Sequence, residues 1–249
     1  MGKWLSELDR LLRGEFTRPD ELREGRVSLP TRRLLLACLA LGAFYGLCMG
    51  LYAATGGRED SWKYLLASAL KVPLLFLLTL VVTFPSLYVF AALANSRLRL
   101  RDTLRLLVAA IAVNLGVLAS FGPVTAFFTV STDSYAFMIF LNVLFFALAG
   151  AVGLAFLNRA IGAVFPGEQR GEAGSGAGEG PGREERAADS RRARRIFRVW
   201  LLIYVVVGAQ MGWILRPFIG HPHLPFQAFR SRWSNVFEFL LRLLTDRWD

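Results

Sequence analysis

Hydrophobic positions in this chain fall in long uninterrupted runs rather than in the alternation or three-to-four spacing of half-buried elements. Uncharged stretches of about twenty residues, the length needed to cross a bilayer core as a helix, predict five spans, at roughly 34–54, 72–94, 104–121, 135–158 and 197–215. Between the first two runs lies SWKYLLASALK (61–71), which reads either as an extra outer turn of the second span or as a short interfacial helix, with Trp62 and Tyr64 suited to headgroup depth. Gly122 and Pro123 predict the end of the third span, and the apolar, Thr- and Ser-rich continuation to residue 135 predicts an outer hairpin, or a re-entrant loop lining a cavity.

Two further segments are periodic at helical spacing. Trp4, Leu5, Leu8, Leu11 and Leu12 give an apolar stripe at the N-terminus. Trp233, Val236, Phe237, Leu240, Leu241, Leu244 and Trp248 give another near the C-terminus, with Asn235 and Glu238 spaced as a capping pair. Either stripe suits a helix lying on a membrane surface, and the C-terminal one, with Arg216 and its neighbours, suits docking on a partner equally well.

The resulting organisation is all-α. A cytoplasmic amphipathic segment (1–33) precedes a four-span unit (34–165), a flexible cytoplasmic linker (166–195), a fifth span (196–217) and an external amphipathic tail (218–249). Residues 166–190 are rich in glycine and acidic residues and hold no aromatic, so they predict a segment that cannot bury enough surface to fold.

Composition agrees with the pattern. Hydrophobic residues make up 54% of the 249 positions, and the mean hydropathy is +0.43, more apolar than a soluble domain of this length. The net charge of +10 does not point to nucleic acid, because the basic residues crowd between apolar runs. Arg32 and Arg33 precede span one, Arg97, Arg99, Arg101 and Arg105 follow span two, and Arg191, Arg192, Arg194, Arg195 and Arg198 precede span five. The alternate connections are poorer, with Arg58 and Lys63 in one case, beside Lys71 at the edge of span two, and no basic residue in the other, which predicts a cytoplasmic N-terminus and an external C-terminus. The arginine cluster at 191–195 reads first as a topological anchor and second as a contact for anionic lipid. Arginine dominates lysine, as in proteins of GC-rich bacteria, so the expected location is a bacterial inner membrane. The first 33 residues show no cleavable signal peptide, and span one is expected to serve as the insertion signal.

Catalytic patterns are missing from the sequence. It holds no HExxH, GxSxG or P-loop, and no acidic residue inside any predicted span. Cys38 and Cys48 would sit roughly 15 Å apart on one helix, too far to pair with each other. His221 and His223 lack a third ligand nearby, so no metal or other cofactor is expected. Membrane-depth polar groups are mild. Lys71, Thr79, Thr83 and Ser86 share one face of span two, Pro85 predicts a kink there, and Asn114, Asn142 and Gln210 sit in spans three to five. They read as hydrogen-bonding glue between helices or as a polar path for a small solute or ion, with Lys71 reaching the outer interface. Small residues repeat every fourth position at Gly42, Gly46 and Gly50, at Ala147, Ala151 and Ala155, and at Gly208 and Gly212, predicting close helix packing within the chain or between chains.

Five spans, an amphipathic cytoplasmic N-terminal segment and proline-bearing inner helices, with KVPLLF and TFPSLY in span two, resemble the Yip1-like class of bacterial membrane proteins. That resemblance implies a non-enzymatic role in membrane organisation or protein binding. The sequence thus predicts a non-catalytic scaffold or accessory subunit that assembles with itself or with a membrane partner. A small channel or transporter is the competing reading.

Overall fold

The computed structural model describes residues 31–54, 61–93, 100–164 and 181–215, with Ile219. Five helices account for nearly all of them: α1 (Thr31–Ala54), α2 (Ser61–Leu93), α3 (Leu100–Ser131), α4 (Tyr135–Val164) and α5 (Pro181–Leu215). No strand occurs among the described residues. Each helix contains a stretch long and apolar enough to cross a membrane: Thr31–Ala54, Trp62–Ser86, Leu104–Ser131, Phe137–Ala160 and Arg198–Leu215. A helix is the one open-ended element that satisfies its backbone within itself, so apolar runs of this length adopt no other form in lipid. The two amphipathic terminal segments predicted from the sequence lie outside the described residues.

Three boundaries differ from the sequence expectation. Residues 61–71 are continuous with α2, the first of the two readings of that stretch, so the second candidate span begins ten residues before the run 72–94. The cause is packing: Tyr64 and Ser68 are buried, and the turn that carries them lies against the glycines of α1. Trp62 stays exposed, with Lys63 Nζ 5.8 Å from its ring centroid.

The second difference is that α3 runs through Gly122 and Pro123 to Ser131, so residues 121–131 form neither a hairpin nor a re-entrant loop. Stopping the helix at membrane depth would orphan several carbonyls, whereas continuing through proline sacrifices one bond. The hydroxyls that made this segment look loop-like are folded back on their own helix. Thr125 Oγ1 donates to the Phe121 carbonyl at 3.1 Å, Thr129 Oγ1 to Thr125 at 2.9 Å and Ser131 Oγ to Phe127 at 2.9 Å. The true connection is residues 132–134. Ser134 Oγ accepts from the Phe137 amide at 3.3 Å, capping α4.

Third, α5 begins at Pro181, so residues 181–195 are helical where the sequence predicted linker. Proline suits a first helical turn, and the Arg, Glu and Ala that follow favour helix. The rest of the predicted linker, 166–180, lies outside the described residues.

The chain divides into two compact units, each drawing on all five helices. One comprises residues 39–82, 118–147 and 204–249. Its organising contact is α1 against α2. A Cβ at Gly42 would lie 2.9 Å from Pro73 Cβ, and one at Gly50 would lie 2.9 Å from Leu65 Cα. At Gly46 a Cβ would overlap the Ser68 carbonyl oxygen and lie 2.7 Å from Ala69 Cα. Phenylalanines fill the other contacts, with Phe121 stacked on Phe145 at 4.4 Å and Phe76 on Phe146 at 6.1 Å. A Cβ at Gly208 would lie 3.5 Å from Thr79 Cγ2 and one at Gly212 3.8 Å from Leu75 Cδ1, ordinary van der Waals distances, so these two glycines are not needed for close approach in the way the α1 glycines are.

The other unit comprises residues 1–38, 83–117 and 148–203. Leu34, Ala37, Cys38, the α3 run from Leu106 to Val113, and Ala149, Leu157, Ala160 and Trp200 are its buried core.

The α4 row Ala147, Ala151, Ala155 does not pack within the chain, because all three are exposed. The buried row is Leu141, Phe145, Ala149, Gly153 and Leu157. Ala147 and Ala149 are two residues apart, about 200° around a helix, so burying one row turns the other outward.

The glycines of α1 and α4 are therefore not equivalent, and substitution distinguishes them. Gly46→Ala should destabilise the protein by about 1–3 kcal/mol through overpacking against backbone that cannot yield. Gly150→Ala, at a position with nothing within 4 Å of the added Cβ, should be neutral or stabilising by up to about 1 kcal/mol. Reversible unfolding of both variants in mixed micelles checks the opposite signs.

Candidate functional site

The polar groups singled out in the sequence are distributed over both units. In the unit containing residues 39–82, Lys71, Thr79 and Asn142 are buried and Gln210 is half-buried. Lys71 is only 5% exposed, so it does not extend to an aqueous interface as the sequence predicted. It stands among the buried residues Ser68, Val72 and Leu75, on the part of α2 that the α1 glycines approach.

Asn142 is bonded at both ends of its amide. Its Nδ2 donates to the Met138 carbonyl one turn back at 2.7 Å, and its Oδ1 accepts from the Tyr45 hydroxyl at 2.8 Å. Tyr45 is fully buried, stands edge-on to Phe146 at 5.8 Å, and has Thr125 as a further hydrogen-bonding neighbour. This cluster ties α1, α3 and α4 together. Nearer the α3–α4 connection, the Tyr52 hydroxyl donates to the Asp133 carbonyl at 2.8 Å, and its ring tilts against Tyr135 at 6.3 Å. Thr79 Oγ1 closes on its own helix, donating to Leu75 at 2.6 Å.

In the unit containing residues 83–117, the cluster is Thr83, Ser86 and Trp200. The Thr83 carbonyl accepts from Ser86 Oγ at 2.7 Å and from Trp200 Nε1 at 3.3 Å, and Ser86 Oγ accepts from Trp200 Nε1 at 3.0 Å. Helix α2 continues past Pro85, and these extra donors gather beside the proline, where the helix loses one of its own. Pro85 itself is exposed. It lines no interior surface of this chain. Asn114 is half-buried, its Cβ 3.2 Å from the position a Cβ at Gly153 would take. Its buried Oδ1 has no hydrogen-bond partner. Cys38 Sγ lies 4.0 Å from the Val108 carbonyl, and both cysteines are free thiols.

Among the described residues, no group of three or more His, Cys, Asp and Glu could hold a metal ion. His221 and His223 lie outside those residues, as do the docking candidates Arg216, Trp233, Phe237, Leu240, Leu241, Leu244 and Trp248. Arg191, Arg192, Arg194 and Arg195 fall on α5, with Arg195 exposed.

Sequence reasoning missed Tyr45, Tyr52, Thr125 and Trp200. Tyrosine and tryptophan inside an apolar run read as hydrophobic bulk. A signal was nonetheless present, since an amide at membrane depth demands partners, and tyrosine is the commonest apolar-bodied donor that can supply one.

With the geometry described, comparison with known proteins adds no relative. No family model, curated protein or solved structure matches the chain.

The Tyr45–Asn142 bond should be measurable by a double-mutant cycle. Tyr45→Phe and Asn142→Ala, alone and together, should give a coupling of about 0.6 kcal/mol, with an upper bound near 1.7 kcal/mol, read from unfolding free energies in mixed micelles.

Proposed function

We propose that the protein is a non-catalytic integral membrane subunit that assembles with itself or with a membrane partner. Its five helices cross a bacterial inner membrane, with the N-terminus cytoplasmic and the C-terminus external. The observation that carries this reading is where the interior polar groups find their partners. The hydroxyls of Thr79, Thr125 and Thr129 close on their own helices, Asn142 on Tyr45, and Ser86 on Trp200 and Thr83. The Tyr45–Asn142 and Trp200–Ser86 bonds hold helices together, and hydroxyls turned back on their own carbonyls offer little to a passing solute. The outer surface supports residence in lipid, since Leu36, Leu66, Val81, Phe127, Phe140 and Leu202 are all exposed. The basic residues flanking α1, α3 and α5 supply the proposed orientation, and Arg191 to Arg195 would meet anionic headgroups or simply fix topology. A role of the Yip1-like kind, in membrane organisation, is in keeping with this arrangement.

One observation favours the channel or transporter reading. Lys71 is buried inside a candidate span, and an ionisable side chain at that position is a default mark of a conducting or coupling site.

A flux assay separates the two. Proteoliposomes of the purified protein should show no ion leak above empty vesicles, and Lys71→Met should change nothing in the trace. Protein-dependent flux abolished by Lys71→Met or Thr83→Leu, with the protein still folded, would overturn the scaffold reading. Purification from the native membrane in mild detergent should yield a complex, not a monomer.

A further inference from the structure

The two asparagines at membrane depth have opposite fates. The Asn142 amide is completed at both ends by Tyr45 and Met138. Asn114 Oδ1 is buried with no partner. Asn114 stands within the candidate span Leu104–Ser131, roughly 5 Å along the axis from its midpoint, where hydrocarbon offers no donor and an unsatisfied carbonyl is costly.

The contact with α4 is built around this amide. Gly153 faces it, and a Cβ there would crowd Asn114 Cβ at 3.2 Å and the Ala110 carbonyl at 3.4 Å, with Asn114 Nδ2 at 3.5 Å. One turn back, Gly150 has nothing within 4 Å of where its Cβ would be, and Ala151 is exposed. The fold thus sets a half-buried asparagine with a buried Oδ1 at the α3–α4 contact, and one turn along α4 the backbone at Gly150 is left bare.

We infer that Asn114 is the central contact of a homodimer, in which the amides of two copies bond reciprocally beside Gly150. This rests on the assembly reading above and names its partner as a second copy of this chain. Three arguments select that occupant. Acyl chains have no donor. A water would need two or more polar partners, and the polar group that the α3–α4 contact is seen to place near Asn114 is the Ala110 carbonyl, on the same helix. An amide, by contrast, is donor and acceptor at once, so a two-fold axis through Asn114 supplies each Oδ1 with the other's Nδ2. Rotation about the terminal torsion of asparagine is soft, so Oδ1 reaches the exposed edge without moving α3. Gly150 lets the second backbone approach closely enough for the pair to form.

The test is the oligomeric state of the full-length chain in phosphatidylcholine–phosphatidylglycerol vesicles, read by energy transfer between labelled copies over a range of protein-to-lipid ratios. Wild type should dimerise. Asn114→Ala should raise the dissociation constant roughly tenfold, the effect of losing two average interhelical hydrogen bonds. Gly150→Leu should weaken the dimer at least as much, and because nothing lies near that position the folded monomer should keep its unfolding midpoint. A wild-type dimer that both variants leave intact would overturn the Asn114 contact while sparing self-assembly. A wild-type chain that stays monomeric at every ratio would overturn both, and a complex recovered only from native membranes would then assign the amide to a different polypeptide.

Discussion

The approach of α1 to α2 at Gly42, Gly46 and Gly50 is the constraint on which the rest of the fold depends. Lipid gives little hydrophobic reward for bringing two helices together, so association must come from close packing and from polar contacts made possible by it. Removing the side chain at three successive steps of the row lets Leu65, Ser68, Ala69 and Pro73 come against bare backbone. The consequences extend along both helices. The turn bearing Tyr64 and Ser68 is drawn into the packed part of the span, and Lys71 goes with it. On α1, the same register keeps Tyr45 fully buried and aimed at Asn142.

A four-residue row drifts about 40° per step around a helix of 3.6 residues per turn, so one crossing helix can use about two steps of it. The steps used are Gly42 to Gly46 and Gly46 to Gly50. One step earlier, Cys38 has already rotated onto a different neighbour, the Val108 carbonyl of α3. Sequence arithmetic therefore anticipated the length of the seam, although not which helix would fill it. On α4 the same arithmetic leaves the choice open, because a four-residue row of small residues can be drawn on either side of that helix. Only packing decides that Ala149 and Gly153 turn inward while Ala147 and Ala151 turn outward.

Other misreadings share a physical cause, which is that residue type was taken for solvent preference. Thr125, Thr129 and Ser131 looked like a loop because hydroxyls favour water or turns. In a helix each can bond the carbonyl one turn back and so become effectively apolar, which lets α3 cross the whole segment. Tyr45 and Trp200 lie inside apolar runs and were not singled out, yet their O–H and N–H groups make interhelical bonds to Asn142 and Ser86. The five helices were legible because apolar run length is a bulk property. The partners of Asn142, Ser86 and Thr83 were not, because they are set by which faces meet.

Polar groups within the candidate spans therefore sort by whether the chain completes them, and residue type alone does not predict the answer. Asn142 and Asn114 carry the same amide and sit on helices of similar length. The first has a buried tyrosine across from it. The second has a glycine, which gives the amide room but no hydrogen bond. A fold that needed only internal cohesion would gain from an apolar residue at position 114, which would pack on Gly153 without leaving a carbonyl unsatisfied. An amide in that place leaves a buried carbonyl oxygen unsatisfied within the chain, a cost that the proposed contact with a second copy would offset. In a membrane, where hydrophobicity does not drive helices together, such an incomplete group is one of the few features able to give association both strength and a fixed register.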